Sequence, residues 1–397
     1  MMLALEMYRS VPRYLAAKAV GGRIPGVLTG PAAPVRLITR EEPRPPASGT
    51  GWARVRPTLS GICGSDLGAL FGQTSLYFSA MISMPFVPGH EVVGELQDDC
   101  ADLPAGTRVV LDSVLACAAR GIEPCESCAA GRTNVCNRIT VGHVSPGLQT
   151  GYCADTGGGW GGTMVAHRSQ LYAVPEALSD ERAVLVEPLA CAVHTVQRAR
   201  IPEGASVLVS GAGSVGLFLV LALRRFSAAD RISVVAKHPR QRELARLFGA
   251  TDVFGPDEVH GRVRRATGAF RLSPQRGPDF LLGGVDVAFD AVGSKGSLDT
   301  VFRVTRPGGR VVLSGMPNTG ADLSPVWFRE LEVTSAYATN GAEAFGKAFE
   351  LAESAPLDGV LGGRYPLYRW REALDHAHGA GRLGTVKVAF DLRSSAR

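Results

Sequence analysis

The stretch Ala205-Ser-Val-Leu-Val-Ser210, followed directly by Gly211-Ala-Gly213-Ser-Val-Gly216, decides the fold of this chain. Glycine accounts for 48 of the 397 residues, so the spacing G-x-G-x-x-G alone carries little information. Its context carries more, because a continuous apolar run ends where the glycines begin and an apolar, helix-like stretch follows over residues 215–225. A buried strand, a glycine turn and a helix in this order predict the first βα unit of a dinucleotide-binding domain.

Each residue of this turn has a physical role in that prediction. Gly211 is expected to make the tight turn, Gly213 to let the backbone approach a pyrophosphate, and Gly216 to allow close packing of the helix against the strand. Ser214 and Val215 lie at the N-terminus of the helix, where the backbone N–H groups favour negative charge. We therefore predict that all five residues bind the cofactor. A tight turn that binds no ligand is the alternative.

The end of the next predicted strand, residues 231–235, bears on which dinucleotide is bound. An acidic residue at this place would hold the ribose 2′-hydroxyl of NAD, but Ala236 occupies it, and Lys237, His238 and Arg240 follow. Cationic groups without a carboxylate suit a 2′-phosphate better than a free hydroxyl. The sequence therefore favours NADP over NAD, with solvated residues at a strand end as the simpler interpretation.

The hydrophobic pattern changes on either side of this unit and predicts the domain boundaries. Before residue 185 the apolar runs are short, β-like and interrupted by glycine and proline, which is typical of an all-β barrel. We predict an N-terminal extension over residues 1–34, a β-barrel domain over 35–188 and 338–397, and an inserted α/β domain with a doubly wound parallel sheet over 189–337. The polar, Pro- and Gly-rich segment 261–284 is predicted to be a surface loop.

Composition excludes several classes of function. Hydrophobic residues make up 45% and charged residues 20% of the chain, and the net charge of +5 is not concentrated in a basic run, so nucleic acid is not expected as a partner. The N-terminus lacks the apolar core of a signal peptide, and the most apolar segment, residues 215–223, is too short to span a membrane. We expect a cytoplasmic protein, in which eight cysteines indicate metal binding or chemistry rather than disulfides.

Two segments upstream contain metal-ligating residue types beside acids. Gly61-Ile-Cys63-Gly-Ser65-Asp66 and Gly89-His90-Glu91 place a thiol and an imidazole 27 residues apart. Cys and His are ligands that Zn²⁺ prefers, and a catalytic zinc site needs three protein ligands and one open position. Ser65 could pass a proton, and Asp66 could orient the His90 ring from behind. The alternative is that Cys63 and His90 are ordinary buried residues.

A cysteine cluster lies further along the chain. Cys125, Cys128 and Cys136 have the spacing C-x₂-C-x₇-C, and Cys117 precedes them by eight residues. Four cysteines in one loop are typical of a closed, tetrahedral structural zinc site. Paired disulfides or a redox C-x-x-C motif are the alternatives. Such a zinc ion would brace the loop and take no part in chemistry.

Taken together, these motifs show that the chain resembles the zinc-dependent medium-chain alcohol and polyol dehydrogenases, specifically their sorbitol- and threonine-dehydrogenase-like branch, over about residues 35–395. The resemblance implies a GroES-like β-barrel catalytic domain into which a Rossmann domain is inserted. The motifs that carry it are Gly61-Ile-Cys-Gly-Ser-Asp66, Pro88-Gly-His-Glu91, the four cysteines, Glu187-Pro-Leu-Ala190, Gly211-Ala-Gly-Ser-Val-Gly216 and Phe289-Asp-Ala-Val-Gly293.

The resemblance also implies the roles of individual residues. Cys63 and His90 would bind the catalytic zinc, with Glu187 as third ligand and Glu91 as the alternative. Ser65 would carry the substrate proton. In the second domain, Val292 and Gly293 would contact the cofactor.

The chain departs from the family pattern at three places, the first of which is the extension over residues 1–34, which has no counterpart in that pattern. Seven residues, rather than the usual two, separate Cys117 from Cys125. The family often has a His shortly after the Ser as the last member of a proton relay, whereas Leu67-Gly68-Ala69 offers none here. The proton route predicted from the sequence therefore ends at Ser65.

The implied activity is hydride transfer between an alcohol, or its aldehyde or ketone, and a nicotinamide cofactor, with two zinc ions per chain. A small-molecule substrate and a homo-oligomer, either a dimer or a tetramer, are expected. Two other classes share part of the pattern: zinc-free quinone or enoyl reductases, and a non-catalytic NADP-binding structural protein. Metal analysis separates them, since only the dehydrogenase needs two zinc ions.

Overall fold

The structure is a computed structural model that describes residues 1–20, 29–30, 33–47, 50–317 and 319–393. It divides into two compact units, which are treated separately below. The first unit comprises Met1–Glu187, Ala338–Glu353 and Leu357–Arg397, and the second comprises Pro188–Tyr337 and Ser354–Pro356. No helix in the described part of the chain combines the length and the apolar character needed to cross a membrane.

Strands and helices alternate along most of the chain. The strands are β1 (Met2–Met7), β2 (Val35–Arg40), β3 (Trp52–Gly61), β4 (Glu91–Leu96), β5 (Arg108–Leu111), β6 (Met164–His167), β7 (Leu171–Ala173), β8 (Ser206–Ser210), β9 (Arg231–Val235), β10 (Asp252–Phe254), β11 (Phe270–Leu272), β12 (Phe280–Leu282), β13 (Val285–Asp290), β14 (Thr305–Leu313), β15 (Glu332–Ser335), β16 (Leu361–Tyr365) and β17 (Lys387–Asp391). The α-helices are α1 (Val11–Val20), α2 (Gly64–Leu70), α3 (Glu126–Ala129), α4 (Asp180–Ala183), α5 (Val186–Ala199), α6 (Ser214–Phe226), α7 (Pro239–Leu247), α8 (Val259–Thr267), α9 (Lys295–Val304), α10 (Ser324–Phe328), α11 (Gly341–Ser354) and α12 (Trp370–Gly379). Short 3₁₀ helices span Leu76–Met81, Thr133–Val135, Arg168–Gln170, Pro256–Glu258 and Leu367–Arg369.

The sheet of the first unit brings distant parts of the sequence together at one residue. Its strand order is β16-β17-β3-β4-β5-β7, and β6 also pairs with β3. β3 runs antiparallel to β4 and to β17, so that Gly61 lies opposite Glu91 on one side and Ala389 on the other. A Cβ at Gly61 would lie 2.1 Å from Oε2 of Glu91, and only glycine leaves room for that carboxylate. The segment after β3 therefore lies beside the starts of β4 and β17.

The N-terminal extension contains a strand that the sequence analysis did not predict. β1 pairs antiparallel with β2 over six residues, which joins the extension to the first unit. The backbone N–H of Leu5 donates to the carbonyl of Trp160, and Met7 and Phe86 exchange two backbone hydrogen bonds. The indole of Trp160 is fully buried against Phe390. The glycine-rich segment around Trp160 is thus packed in the core of this unit.

The second unit contains a six-stranded parallel sheet with the order β10-β9-β8-β13-β14-β15. This is the strand order of a doubly wound dinucleotide-binding fold, with β8 as its first strand. The three central side chains of β8, Val207 to Val209, are fully buried, and α6 buries every residue from Gly216 to Leu223. The prediction of an α/β fold with a doubly wound parallel sheet is confirmed.

The prediction that residues 261–284 form a surface loop is wrong for most of that segment. α8 extends to Thr267, and β11 and β12 pair as an antiparallel hairpin, with Phe270 opposite Leu282. The side chains of Val263 and Leu281 are buried and attach both elements to the core of the second unit. The polar composition of the segment hid these few apolar positions, because β11 is exposed throughout and α8 and β12 each bury only some of their residues.

Candidate metal centres and cofactor loop

The two segments with metal-ligating residues meet in the first unit. Cys63 is the residue before α2 and lies two residues after the end of β3, and His90 directly precedes Glu91, the first residue of β4. One ligand atom from each of these three residues lies within 4.8 Å of the others. They meet because β3 and β4 are antiparallel neighbours, paired at Gly61 and Glu91. A thiol, an imidazole and a carboxylate at this spacing suit a zinc ion.

Asp66 connects these ligands from behind. Its Oδ2 accepts a hydrogen bond from the backbone N–H of Cys63 at 3.0 Å, and its Oδ1 lies 3.4 Å from Nδ1 of His90. The hydroxyl of Tyr152 donates to the same Oδ1 at 3.5 Å. Asp66 and His90 are both buried. A carboxylate that hydrogen-bonds the far nitrogen of a ligating imidazole fixes the orientation and tautomer of the ring. The position of Asp66 fits the prediction that it orients the His90 ring.

Glu91 is paired with a buried cation that the sequence analysis missed. Both carboxylate oxygens of Glu91 lie 2.5 Å from Nζ of Lys387, at the start of β17, and both side chains are almost fully buried. Lys387 also donates to the carbonyl of Ile62 at 3.4 Å. Burial lowers the pKa of Lys387, but the charges of Glu91, Cys63 and Glu187 outweigh that effect and raise the pKa above its usual range. Lys387 therefore remains a cation at this site.

Glu187 and Ser65 are predicted site residues that lie outside this set of ligand atoms. Glu187 is buried in the first turn of α5, close enough to Lys387 for its charge to raise the pKa of that ammonium group. Among the described residues, the set of ligand atoms within 4.8 Å includes Glu91 rather than Glu187. Ser65 lies half-buried in the first turn of α2.

The four cysteines of the predicted structural site also come together. One sulfur from each of Cys117, Cys125, Cys128 and Cys136 lies within 4.8 Å of the others. Two of the separations are 3.5 Å, between Cys117 and Cys136, and 3.9 Å, between Cys125 and Cys136. Sulfurs bound tetrahedrally to zinc at about 2.3 Å are roughly 3.8 Å apart, so this spacing fits a metal and is too long for a disulfide.

Backbone N–H groups point at these sulfurs. Cys125 donates to Sγ of Cys117 at 3.3 Å, Asn137 to Sγ of Cys125 at 3.4 Å, and Arg138 to Sγ of Cys136 at 3.4 Å. Hydrogen bonds from the backbone of Asn137 and of Cys128 lower the pKa of Cys125 to about 6. These donors favour the thiolate, the form that binds metal. All eight cysteines of the chain are free thiols in the structure.

The glycine turn of the second unit has the geometry that a dinucleotide needs. Gly211 has φ +101°, a conformation that favours glycine, and Gly213 precedes α6. A Cβ at Gly216 would lie 2.0 Å from the carbonyl oxygen of Gly211, so the helix packs directly on the turn. A Cβ at Gly213 would meet nothing within 4 Å, which leaves room for a ligand to approach the backbone there. Ser214 and Val215 begin α6 beside this space.

Val292 and Gly293 lie next to the same turn. A Cβ at Gly211 would come within 2.4 Å of Cγ2 of Val292, and Gly293 has φ +75°. The backbone N–H groups of both residues donate to the carboxylate of Asp290 at the end of β13. The ends of β8 and β13 thus present the two predicted cofactor segments side by side.

The cationic residues after β9 follow the next strand end of this sheet. Ala236 is buried and donates its backbone N–H to Phe254, while Lys237 is exposed. His238 is the residue before α7, and Arg240 forms an ion pair with Glu243 at 2.6 Å. The structure thus places these cationic groups at a strand end where a parallel sheet of this type binds ligands.

Comparisons with known proteins agree with this arrangement. The family model described as "Alcohol dehydrogenase GroES-like domain" matches residues 49–176, and the one described as "Zinc-binding dehydrogenase" matches residues 214–354. The chain is 31% identical over 269 residues to "Probable D-xylulose reductase A" of Neosartorya fischeri, covering 66% of this chain and 67% of that protein. It is 28% identical over 299 residues to L-idonate 5-dehydrogenase of Vitis vinifera, covering 74% and 75%.

A solved structure is similar over nearly the whole chain. It is that of a zinc-binding dehydrogenase of Sinorhizobium meliloti bound to NADP, with a TM-score of 0.70 and 25% identity. The similarity covers 98% of this chain and 99% of that one.

Proposed function

Because the chain belongs to the zinc-dependent medium-chain alcohol and polyol dehydrogenases, and is an oxidoreductase that transfers a hydride between an alcohol or its carbonyl product and a nicotinamide cofactor, we propose that its active site is built on Cys63 and His90. The observation that carries this proposal is the convergence of the Cys63, His90 and Glu91 ligand atoms beside the buried Asp66. Residues 35–188 and 338–397 would form the catalytic domain, residues 189–337 the cofactor domain, and residues 1–34 an extension.

The residues around this site divide the work of the reaction. A zinc ion held by these residues would supply Lewis-acid polarisation of the substrate oxygen, and a nicotinamide bound at the glycine turn would supply the hydride chemistry. The Ser65 hydroxyl would relay the proton of the alcohol, accepting it while donating its own proton to solvent water. Asp66 holds the His90 ring, and Lys387 neutralises Glu91 so that the buried site does not accumulate negative charge.

The experiment that tests the function combines metal analysis with an absorbance assay for NADPH. The proposal expects two zinc ions per chain, one at Cys63 and one at the four cysteines, and turnover of members of a panel of alcohols, polyols and ketones. One zinc ion per chain together with inactivity towards the whole panel would instead indicate a zinc-free reductase or a non-catalytic NADP-binding protein. The relatives named above suggest beginning the panel with sugar alcohols and sugar acids.

For the third zinc ligand we propose Glu187, with Glu91 as the alternative. The pairing of both Glu91 oxygens with Lys387 supports Glu187, whereas the short distances from Glu91 to Cys63 and His90 support Glu91. Glu187→Gln and Glu91→Gln form a matched pair of variants. In the cobalt-substituted enzyme, the visible d–d spectrum should change strongly in Glu187→Gln and little in Glu91→Gln. The reverse result would assign the ligand to Glu91.

We propose NADP as the preferred cofactor, bound at its 2′-phosphate by Lys237, His238 and Arg240. The absence of an acid at Ala236 supports this assignment, as does the NADP bound to the similar Sinorhizobium protein. The ratio of kcat/KM for NADPH over NADH should exceed one and should fall about tenfold in Lys237→Ala, since an exposed charge-assisted contact contributes about 1–2 kcal/mol. A clear preference of the unmodified enzyme for NADH would contradict the assignment.

We also propose a cytoplasmic homo-oligomer, either a dimer or a tetramer. β15 is the last strand of its sheet, and the adjacent Trp327 and Phe328 are 83% and 70% exposed. A sheet edge beside exposed aromatic side chains is typical of a surface that a second copy covers. Light scattering after size exclusion should give a multiple of 41.8 kDa, and Trp327→Lys should shift the mass towards that of one chain.

A further inference from the structure

Arg120 is a fully buried arginine within the long link between Cys117 and Cys125. Its Nε donates to the carbonyl of Leu115 at 3.0 Å, and Nη1 donates to the carbonyls of Val141 and Val144 at 3.0 Å each. Nη2 donates to the carbonyl of Gly147 at 2.6 Å. The carbonyl of Ser145 lies 3.4 Å from Nη1 and 3.5 Å from Nη2.

These hydrogen bonds fasten two segments to each other. One is the link itself, where the backbone N–H of Arg120 donates to the carbonyls of Ala116 and Cys117, and the backbone N–H of Ile122 donates to the carbonyl of Cys117. The other is segment 141–147, which follows Cys136, the last cysteine of the four-cysteine cluster. The guanidinium therefore lies between both ends of the cysteine loop.

Segment 141–147 is shaped to approach Arg120 closely. Gly142 has φ +101°, and a Cβ there would lie 2.5 Å from the carbonyl oxygen of Arg120. The backbone N–H of His143 donates to that same oxygen at 3.0 Å. Both the side chain and the backbone of Arg120 thus hold this segment.

The hydrogen-bond partners of the guanidinium are neutral. Each of the partners that the structure gives it is a backbone carbonyl, and a buried cation without a counter-charge is costly. The five carbonyls that surround the guanidinium therefore both satisfy its donors and fix its position.

We propose that Arg120 is a positioning residue for the four-cysteine metal centre: it fixes the seven-residue link so that Cys117 completes the ligand set. This inference rests on the structural zinc of the proposed function. It also explains how this chain forms a centre with a spacing longer than C-x₂-C. A link of two residues has little conformational freedom because it is short, whereas the link of seven residues is ordered here by the hydrogen bonds of the guanidinium.

The test compares three variants of the full-length zinc enzyme: Arg120→Met, Arg120→Lys and the control Arg132→Met. Arg132 is an exposed arginine in the same loop. The rate of zinc transfer to a chromophoric chelator is measured, together with the zinc-to-protein ratio. Absorbance of the cobalt-substituted protein in the thiolate-to-cobalt charge-transfer region reports the four-sulfur centre directly. Circular dichroism checks that each variant is folded.

Zinc release from the four-cysteine centre should accelerate about 10–100-fold in Arg120→Met, the range found when residues behind metal ligands are removed. Arg120→Lys keeps the charge but makes fewer hydrogen bonds, so its rate should lie between those of the methionine variant and the unmodified enzyme. Arg132→Met should release zinc at the unmodified rate. If Arg120→Met does not fold, Arg120→Lys carries the test alone.

Release from both Arg120 variants at the unmodified rate would overturn the role of Arg120 while leaving the two-zinc enzyme intact. An unmodified enzyme that holds zinc only at Cys63, without the charge-transfer absorbance of four thiolates, would overturn the inference and the structural zinc of the proposed function together. The two failures are therefore distinguishable.

Discussion

The two clusters of metal-ligating residues differ in how the chain assembles them. The four-cysteine cluster is contained between Cys117 and Cys136, within one loop. The Cys63 cluster takes its ligand atoms from the segment after β3 and the start of β4, and the start of β17 supplies the Lys387 ammonium group that pairs with Glu91. A local cluster can be recognised from spacing alone, whereas a dispersed one depends on which strands are neighbours.

The clusters also differ in their charge. The cysteine cluster contains one ligand type, supported by backbone N–H donors. The Cys63 cluster mixes a thiol, an imidazole and carboxylates with the buried ammonium group of Lys387. A closed set of four thiolates suits a structural ion, and a mixed set with an open position suits catalysis. The predictions below test this division, in order of expected effect on turnover.

Cys63→Ser should have the largest effect. Loss of the thiolate should remove the metal at this site and reduce kcat on the order of 10³-fold or more, since Lewis-acid stabilisation contributes several kcal/mol. Atomic absorption should still find one zinc ion per chain, and a fluorescence titration should still show NADPH binding. Retained turnover would rule out a catalytic metal at Cys63 and remove the contrast between the two clusters.

Lys387→Met should have the second-largest effect on turnover. The substitution leaves Glu91 buried without its counter-charge, which costs about 3–5 kcal/mol in the free energy of unfolding. It should also lower kcat/KM on the order of 10–100-fold, because Glu91 lies among the metal-ligating atoms and would be free to move. Denaturant titration and steady-state kinetics measure the two effects.

Two controls sharpen this prediction. Lys387→Arg keeps the positive charge and should retain most of the stability. Adding Glu91→Gln to Lys387→Met removes the orphaned charge and should restore part of the lost free energy, which would appear as a coupling energy in a double-mutant cycle. Additive losses would show that the two groups do not interact energetically.

Lys387 also shows where sequence reasoning stops. It is one of only five lysines in the chain and directly precedes the apolar run Val388-Ala-Phe390, which is the one signal that could have identified it. Its partner Glu91 is 296 residues away, and only the pairing of β3 with both β4 and β17 brings the two together. Tyr152, which donates to Asp66, was missed for the same reason.

The sheet of the second unit was predictable because its signals are local. The buried strand, the glycine turn and the helix are contiguous between Ala205 and Phe226. The strand and the helix each have the hydrophobic pattern that is typical of their type. β1 was missed because its partner β2 lies across the long insertion at residues 8–34. The hairpin of β11 and β12 was missed because all three of its cross-strand pairs include an exposed apolar or charged side chain, a pattern that resembles a loop.

Cys136→Ser tests the other side of the comparison. Removal of one of the four thiolates should release the metal from the cysteine centre, so that one zinc ion per chain remains, at Cys63. Turnover per folded molecule should change less than about threefold, because this metal takes part in no chemical step. The melting temperature should fall by several degrees, since metal binding contributes folding free energy. A collapse of kcat without unfolding would show that the two centres are coupled.

Asp112 contrasts with Glu91, and its substitution by asparagine should leave turnover unchanged. Like Glu91 it is a buried acid of the first unit, but its hydrogen-bond partners are the backbone N–H of Val114 at 3.1 Å and the hydroxyl of Thr339 at 2.8 Å, which are both neutral. Burial raises the pKa of Asp112 to about 6. The folded chain therefore holds this proton more tightly than the unfolded chain does.

The sign of the pH dependence follows from that difference. Between about pH 4 and pH 6 the unfolded chain loses the Asp112 proton while the folded chain keeps it, so this group makes stability fall as the pH rises through that window, by about 2–3 kcal/mol in total. Asp112→Asn can accept the same two hydrogen bonds without ionising. Denaturant titrations across pH 4–8 should therefore show greater stability of the variant at pH 7 and a smaller fall between pH 4 and pH 6. Asp98→Asn is the control of opposite sign. Hydrogen bonding to Arg54 lowers the pKa of Asp98, so the contribution of Asp98 to stability is lost as the pH falls.

Equal pH profiles for Asp112→Asn and the unmodified enzyme would mean that Asp112 is neutralised by a charge, as Glu91 is by Lys387.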